Sequence, residues 1–122
     1  MNTLHGEIIN LTPHAITLLN KETDEIITTV PYSGTEARVS EKNNVIGTVN
    51  GISLVRKEFG EITGLPDFKE GVYYIVSLPT ANAAKAHGRT TADLLVTNDP
   101  KRVRNEDGST TIAGCYSFSI IE

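Results

Sequence analysis

The alternation of apolar and polar residues predicts a protein built mainly from short β-strands. The clearest runs are VIGTV and ISLVRKEF, which flank the pair Asn50-Gly51. An Asn-Gly pair between alternating runs supplies the positive φ angles that a two-residue hairpin turn requires. The run IAGCYSFSII at 112–121 also alternates and predicts a strand. VYYIVS at 72–77 is rich in β-branched and aromatic residues, which is typical of a central strand.

Turn signals divide the remainder of the chain. Short Ile- and Thr-rich runs near the N-terminus predict a meander that reaches a polar turn, EKNN, at residues 41–44. Residues 60–71 contain three glycines and a proline and predict a connector. The sequence NDP at 98–100 predicts a turn that ends a strand, and residues 105–109 predict a final hairpin turn.

One short helix is predicted after the central strand. Ser77 can cap it, Pro79 suits its first turn, the run TANAAKA has high helix propensity, and Gly88 fits a left-handed stop. With 122 residues of which 39% are apolar, the chain is long enough for one core. The sequence therefore predicts an α+β fold, a mostly antiparallel β-sheet with one short helix, as a single domain spanning 1–122.

The overall charge narrows the possible partners. A net charge of −4 argues against duplex nucleic acid, which needs a continuous basic face. The N-terminal sequence has no signal-peptide pattern and no apolar run approaches membrane-spanning length, so we expect a cytoplasmic protein without a membrane partner. A small sheet leaves strands at its edges, and we expect a homodimer or a higher homo-oligomer that covers them.

Catalytic and metal-binding patterns are weak in this sequence. His5, His14 and His87 lack the spacing of a metal-ligand set, and no serine or cysteine motif pairs a nucleophile with a base. Cys115, the one cysteine, reads as a small hydrophobic residue of a strand. His14, in a Thr-Pro-His corner, either serves catalysis or pins a turn with its imidazole bonded to the backbone. We expect a binding protein rather than an enzyme, with no cofactor.

Positive charge collects in one segment of this acidic chain. Residues 85–104 carry five basic and two acidic side chains. Arginine can bind phosphate in a bidentate fashion, threonine and asparagine can donate to it, and aspartate can accept from ribose hydroxyls. The alternative is that this basic segment is only a solvent-exposed loop without a ligand, in which Arg89 lies at the C-terminus of the helix. The candidate ligand-binding residues are Arg89, Thr90, Thr91, Asp93, Asn98, Arg102 and Arg104.

Several segments together resemble a family of small phage and prophage proteins, the first type of Thoeris anti-defence protein. They are NLTPHAITL, VIGTVNGISLVRKEFGEITGLPD, VYYIVSLPTANAA, GRTTADLLV and VRNEDGSTTIAGC, and they cover nearly the whole chain. The resemblance implies a protein that binds and sequesters a cyclic ADP-ribose isomer without cleaving it, and so blocks TIR-based immunity in the infected or lysogenic host. It also implies an antiparallel sheet with a short helical part, assembled as dimers or larger rings with ligand at subunit boundaries.

The matching GRT and VRN segments make Arg89, Thr90 and Arg104 the residues that the resemblance carries over. Two other functions stay open on the sequence. One is a phage structural or protein-interaction module with no small-molecule ligand, and the other is an enzyme that acts on a cyclic nucleotide.

Overall fold

The computed structural model describes residues 5–121, and most of them lie in strands. The chain order of the elements is β1 (Glu7–Asn10), β2 (Ile16–Leu19), β3 (Ile26–Val30), β4 (Arg38–Val49), β5 (Ile52–Thr63), β6 (Val72–Ile75), α1 (Leu78–Ala86), β7 (Leu94–Arg104) and β8 (Thr110–Ser119).

Six strands form one sheet in the order β1-β6-β7-β8-β2-β3. Strand β6 pairs in parallel with both β1 and β7, and β2 pairs in parallel with β8 through Leu18 and Cys115. The β7–β8 and β2–β3 pairs are antiparallel. The expectation of a mostly antiparallel sheet is therefore wrong, because this sheet is mixed. Helix α1 is the reason for one parallel pair, since it carries the chain between the parallel neighbours β6 and β7.

The two outer strands of this sheet approach each other and give it a barrel-like form. Just after β3, Tyr32 forms a parallel bridge with Asn10 at the end of β1. The backbone N–H of Ser33 donates to the Asn10 carbonyl over 3.1 Å, and that of Ala37 donates to the Leu11 carbonyl over 2.9 Å. These bonds supply partners for backbone groups at the β1 edge.

Strands β4 and β5 form a separate two-stranded sheet, which we call the arm (residues 38–63). The Asn50-Gly51 hairpin is confirmed, with φ angles of 50° and 79° at its two turn residues. The predicted turn at 41–44 is wrong, because these polar residues lie within β4 and pair with β5. The connector predicted over 60–71 begins later, since β5 continues to Thr63. Pairing between the two long strands of the arm overrides the local turn propensity in both places.

The predicted helix is confirmed. The Ser77 hydroxyl accepts from the Thr80 N–H over 3.4 Å, a proline lies in the first turn, and Gly88 follows the end of the helix with a φ of 82°. Ala81 and Ala84 are three positions apart and lie in the same buried cluster as Tyr74. The small side chains let the helix lie close to the sheet, while it also contacts β4 and β5 of the arm.

The turn predicted at residues 98–100 is also wrong, because β7 runs through it to Arg104. Asp99 takes a φ of 56°, in the left-handed region, and Pro100 pairs with Cys115 of β8. Asp99 tolerates this φ better than most residues. The ladder with β8 continues on both sides of it, so the NDP sequence makes an irregularity rather than an end. The turn predicted at 105–109 is confirmed by the Asn105 N–H bond to the Ser109 carbonyl, 2.8 Å.

Gly114 lies where β8 passes β2, and we expect an alanine there to destabilise the fold. A Cβ at this position would come within 2.8 Å of the Thr17 carbonyl oxygen, which is backbone and cannot rotate away. Gly114→Ala should lower the free energy of unfolding by about 1–3 kcal/mol, as overpacking does. Urea unfolding measures the loss. The control is Gly47→Ala in the arm, where a Cβ meets open space; equal losses in the two variants would contradict this account.

Candidate ligand-binding site

Arg89 forms a buried ion pair with Asp93 just before β7. Its Nη1 and Nη2 atoms donate to the two carboxylate oxygens of Asp93 over 2.8 and 3.0 Å. The same nitrogens donate to the carbonyls of Thr90 (2.6 Å) and Pro66 (2.8 Å). The side chain of Arg89 is 17% exposed and that of Asp93 is 1% exposed. Arg89 is therefore engaged in joining the loop after α1 to the connector, and it has little capacity left for a phosphate.

The neighbours of Arg89 are also committed to the fold. Thr91 is 3% exposed, and its carbonyl accepts from the Leu94 N–H over 3.1 Å. The carbonyl of Asp93 accepts from the Tyr74 N–H over 2.9 Å, within the pairing of β6 and β7. Thr90 is exposed, and its hydroxyl accepts from the Ala92 N–H over 3.4 Å. Only Thr90 in this group presents an exposed side chain.

The remaining predicted residues lie further along β7. Asn98 donates to the Ser117 hydroxyl of β8 over 2.8 Å. Arg102 and Arg104 lie opposite Ile112 and Thr110 near the far end of the same pair of strands. Residues two apart on a strand point to one face, so these two arginines share a face. Among residues 5–121, neither arginine makes an ion pair.

The seven candidate residues therefore do not form one site. A strand rises about 3.3 Å per residue, so the eleven residues of β7 span about 33 Å between the two groups. Arg89, Thr90, Thr91 and Asp93 lie at one end, Arg102 and Arg104 at the other, and Asn98 between them. A ligand the size of a nucleotide can reach only one group, and the exposed arginines make the far end the candidate.

A pocket of about 490 Å³ opens beside the middle of β7 and reaches toward its far end at Ile112, although neither Arg102 nor Arg104 lines it. It is lined by residues 14–17 at the start of β2, by Thr97 and Pro100 of β7, and by residues 112–115 of β8. Strands β2 and β8 pair only at Leu18 and Cys115, so the pocket lies where the two strands run on without further pairing. Its wall includes Ile112, the residue opposite Arg102. No signal in the sequence indicates this pocket, because its walls come from three distant segments.

Asn10 fixes the Thr-Pro-His corner that forms one side of the pocket. Its side-chain nitrogen donates to the carbonyls of His14 (2.7 Å) and Val30 (3.1 Å). Its side-chain oxygen accepts from the N–H and the hydroxyl of Thr12 over 2.9 and 2.6 Å. The corner is thus pinned by Asn10 acting on the backbone of His14, and not by the imidazole that sequence reasoning considered.

A second cluster of charges lies on the opposite face of β7 and β8. The turn between β2 and β3 places Lys21 2.8 Å from Asp99 and Asp24 3.2 Å from Lys101. The Tyr116 hydroxyl donates to Asp24 over 2.6 Å. Lys101 therefore forms an ion pair with an acidic partner, unlike its neighbours Arg102 and Arg104.

The hydrogen bond to Asp24 raises the pKa of Tyr116 to about 12. The same bond is the main cause of the lowered pKa of Asp24, with Lys101 contributing to it. In the pocket, burial raises the pKa of the Cys115 thiol, which disfavours its nucleophilic thiolate form.

Within residues 5–121, no three His, Cys, Asp or Glu side chains are grouped so that they could hold a metal ion. No helix in this range has the length and apolar character to cross a bilayer. Comparisons with protein-family models, with curated proteins and with solved structures give no match to this chain.

We expect the Arg89–Asp93 pair to be structural, so Arg89→Ala should destabilise the protein. Removing one partner leaves the Asp93 carboxylate buried without its countercharge, which typically costs about 3–5 kcal/mol. Denaturant unfolding measures the loss. Lys21→Ala is the control, since it breaks an exposed ion pair worth at most about 1 kcal/mol. If Arg89→Ala loses no more than this control, the pair is not structural.

The titration of Tyr116 tests the charge cluster. Asp24→Asn removes the carboxylate that holds the neutral phenol, so the pKa of Tyr116 should fall from about 12 toward the ordinary value of about 10. NMR of ¹³C-labelled tyrosine measures it. Because the pKa of Tyr116 is raised in the folded state, its hydrogen bond to Asp24 contributes fully to the stability of the fold below pH about 10. This contribution is lost as the pH rises through the pKa of the folded state. Asp99→Asn, which removes a carboxylate not bonded to the phenol, should have a smaller effect; equal shifts would contradict this assignment.

Proposed function

We propose that this chain binds a cyclic ADP-ribose-type nucleotide and sequesters it without cleaving it. The observation that carries the proposal is the placement of Arg102 and Arg104, two exposed arginines without an ion-pair partner among residues 5–121. Arg102 lies opposite Ile112, which lines a pocket of about 490 Å³. The arginines bind the two phosphates, and the pocket receives a base or a ribose.

The spacing of the arginines suits a diphosphate. Two residues along a strand are about 7 Å apart, and each long side chain can lean toward the other. A guanidinium donates two parallel hydrogen bonds to one phosphate, so Arg102 and Arg104 can hold one phosphate each. The chain is acidic overall, and these two residues therefore form a local positive site rather than part of a basic surface.

The pocket suits the less polar part of the same ligand. Its volume lies within the range of about 300–1,000 Å³ that is common for small-molecule sites. Ile16 and Ile112 supply apolar surface for a base. His14, Thr17 and Thr97 supply hydrogen-bonding groups for base edges or ribose hydroxyls. This mixture, mainly apolar with few polar groups, is typical of small-molecule pockets and is compatible with a nucleotide.

Sequestration needs tight binding and no reaction. Each buried polar group of the ligand that lacks a partner would weaken binding by about 1–3 kcal/mol, so a rigid and complementary wall is required. Asn10 supports such a wall by holding the His14 backbone. The thiol of Cys115 faces this pocket with a raised pKa, which disfavours attack on the ligand.

The biological context of the proposal comes from the resemblance to the first type of Thoeris anti-defence protein. The ligand would be the signal made by a bacterial TIR-domain sensor. Its removal from solution would keep the NAD-depleting effector inactive in a phage-infected or lysogenic cell. A protein-interaction module without a ligand is the second candidate, and the exposed apolar residues of the arm favour it.

Calorimetric titration with cyclic ADP-ribose isomers tests the proposal. We expect tight binding to the wild-type chain and at least about tenfold weaker binding to Arg102→Ala and to Arg104→Ala, because each variant loses charged hydrogen bonds worth about 1.5–3 kcal/mol. Arg56→Ala is the matched control, since Arg56 is an exposed arginine of the arm. It should bind as the wild type does.

Release of the bound ligand by heat, followed by chromatography, separates binding from turnover. Intact ligand supports sequestration, and a converted ligand would make the protein an enzyme. If calorimetric titration detects no binding heat with any isomer, the nucleotide hypothesis is rejected and the interaction module is favoured. Equal affinity of all three arginine variants would reject the proposed site.

A further inference from the structure

Strand β8 contains one residue more than its ladder with β7 requires. Lys101 lies opposite Gly114, but the next residue of β7, Arg102, lies opposite Ile112. Ala113 therefore has no partner on β7 and forms a β-bulge. Its side chain is exposed, so packing of the core does not explain why the extra residue is there.

The pairing on either side of the bulge places four residues on one face of the sheet. Residues directly opposite each other on an antiparallel pair share a face, and so do residues two apart on one strand. Pro100 lies opposite Cys115 and Arg102 lies opposite Ile112, so all four share a face. Three of them, Pro100, Ile112 and Cys115, line the pocket. Ile112 is 56% exposed, so a ligand can reach it.

The bulge decides on which face Ile112 lies. If the register at Lys101 and Gly114 continued without an extra residue, Arg102 would lie opposite Ala113 and Ile112 would lie opposite Val103. Val103 shares a face with Lys101, which is paired with the acidic residue of the charge cluster. A slip of one residue moves a side chain to the other face of a sheet. The bulge therefore keeps Ile112 on the face of Arg102.

The bulge also lies where β8 leaves β2. The two strands pair at Leu18 and Cys115, and they are still close at Gly114, where a Cβ would come within 2.8 Å of the Thr17 carbonyl oxygen. The next residue toward the N-terminus of β8 is Ala113, and the pocket opens there. A bulge bends its strand and increases the local twist. The bend thus accounts for the gap between β2 and β8.

We propose that Ala113 is a positioning residue of the ligand site. Its place in the bulge holds Ile112 beside Arg102 and bends β8 so that the pocket opens next to them. Cβ atoms of opposite residues are about 4.5–5.5 Å apart, so a cation and an apolar wall become neighbours although Arg102 does not line the pocket. This role rests on the proposed function, because the phosphate at Arg102 and the base in the pocket belong to that proposal.

The face of Ile112 can be measured in the wild-type chain without any ligand. In NMR spectra of methyl-labelled protein, NOEs should join the Ile112 methyl groups to the side chain of Arg102 and not to the methyl groups of Val103. An uninterrupted register gives the reverse pattern. NOEs between Ile112 and Val103 in place of those to Arg102 would overturn the proposal.

Deletion of Ala113 tests the bend separately from the face. Gly114 would then follow Ile112 directly, and Ile112 would stay opposite Arg102 in a regular ladder. Strands β2 and β8 should then pair further and close the gap. Ala113→Ser keeps the extra residue and serves as the conservative variant. Deletion of Ile46 is the matched control, because Ile46 is the extra residue of a bulge in the arm, between Val45 and Gly47.

Alkylation of Cys115 reports on the pocket without a nucleotide. It is the one cysteine of the chain and lines the pocket. Iodoacetamide should modify it at least about tenfold more slowly after deletion of Ala113, because the reagent then has to wait for local opening. Ala113→Ser and the Ile46 deletion should react as the wild type does. Loss of the fold would speed the reaction, so slowing cannot result from unfolding. Equal rates in the two deletion variants would contradict the bend.

Titration of the same variants with cyclic ADP-ribose isomers links the bulge to binding. Deletion of Ala113 should weaken binding at least about tenfold, while Ala113→Ser and the Ile46 deletion bind as the wild type does. Equal binding by both deletion variants would reject the role of Ala113 and leave the proposed function intact. A wild type that binds no isomer would reject the proposed function, and the NOEs and alkylation rates would still decide whether the bulge shapes the pocket. If the Ala113 deletion does not fold, the NOEs of the wild type decide.

Discussion

The hydrogen bonds of one buried amide hold together the segments on which the rest of this fold depends. Asn10 is 1% exposed, and its side chain uses two donors and two acceptor positions on Thr12, His14 and Val30. These bonds join the end of β1, the corner before β2 and the end of β3. A buried amide without partners would cost folding free energy, so the geometry around Asn10 is narrowly determined. The closing bridge to Tyr32 and the wall of the pocket both follow from it.

The elements that the sequence predicts correctly are mainly those determined by adjacent turn and cap residues. The Asn50-Gly51 hairpin and the helix between Ser77 and Gly88 depend on φ angles and caps that a few adjacent residues determine. The mixed pairing of the sheet could not be read in the same way, because β1 finds its parallel partner β6 more than sixty residues later. Residues 41–44 and 98–100, which look like turns locally, continue strands because each pairs with the next strand along the chain, β5 or β8.

The candidate site was predicted in part for a related reason. The excess of positive charge in residues 85–104 is visible in the sequence, but which cations are free depends on distant acids. Asp24 neutralises Lys101 from the turn after β2. Arg89, by contrast, is engaged by the buried carboxylate of Asp93, four residues later in the same segment. Arg102 and Arg104 are distinguished only by the absence of such partners among residues 5–121. The pocket beside them required the contact between β2 and β8.

The parallel contact between Leu18 and Cys115 has a consequence for how the chain folds during synthesis. Pairing over so long a separation in sequence is slow, because the loop entropy is lost before the contact is gained. On the ribosome, β2 and β3 emerge early and must wait for β8, the last strand of the chain, before the ring of strands can close. The arm, whose strands are adjacent in sequence, can form long before. A nascent chain would thus display its apolar hairpin while its barrel-like part is still open.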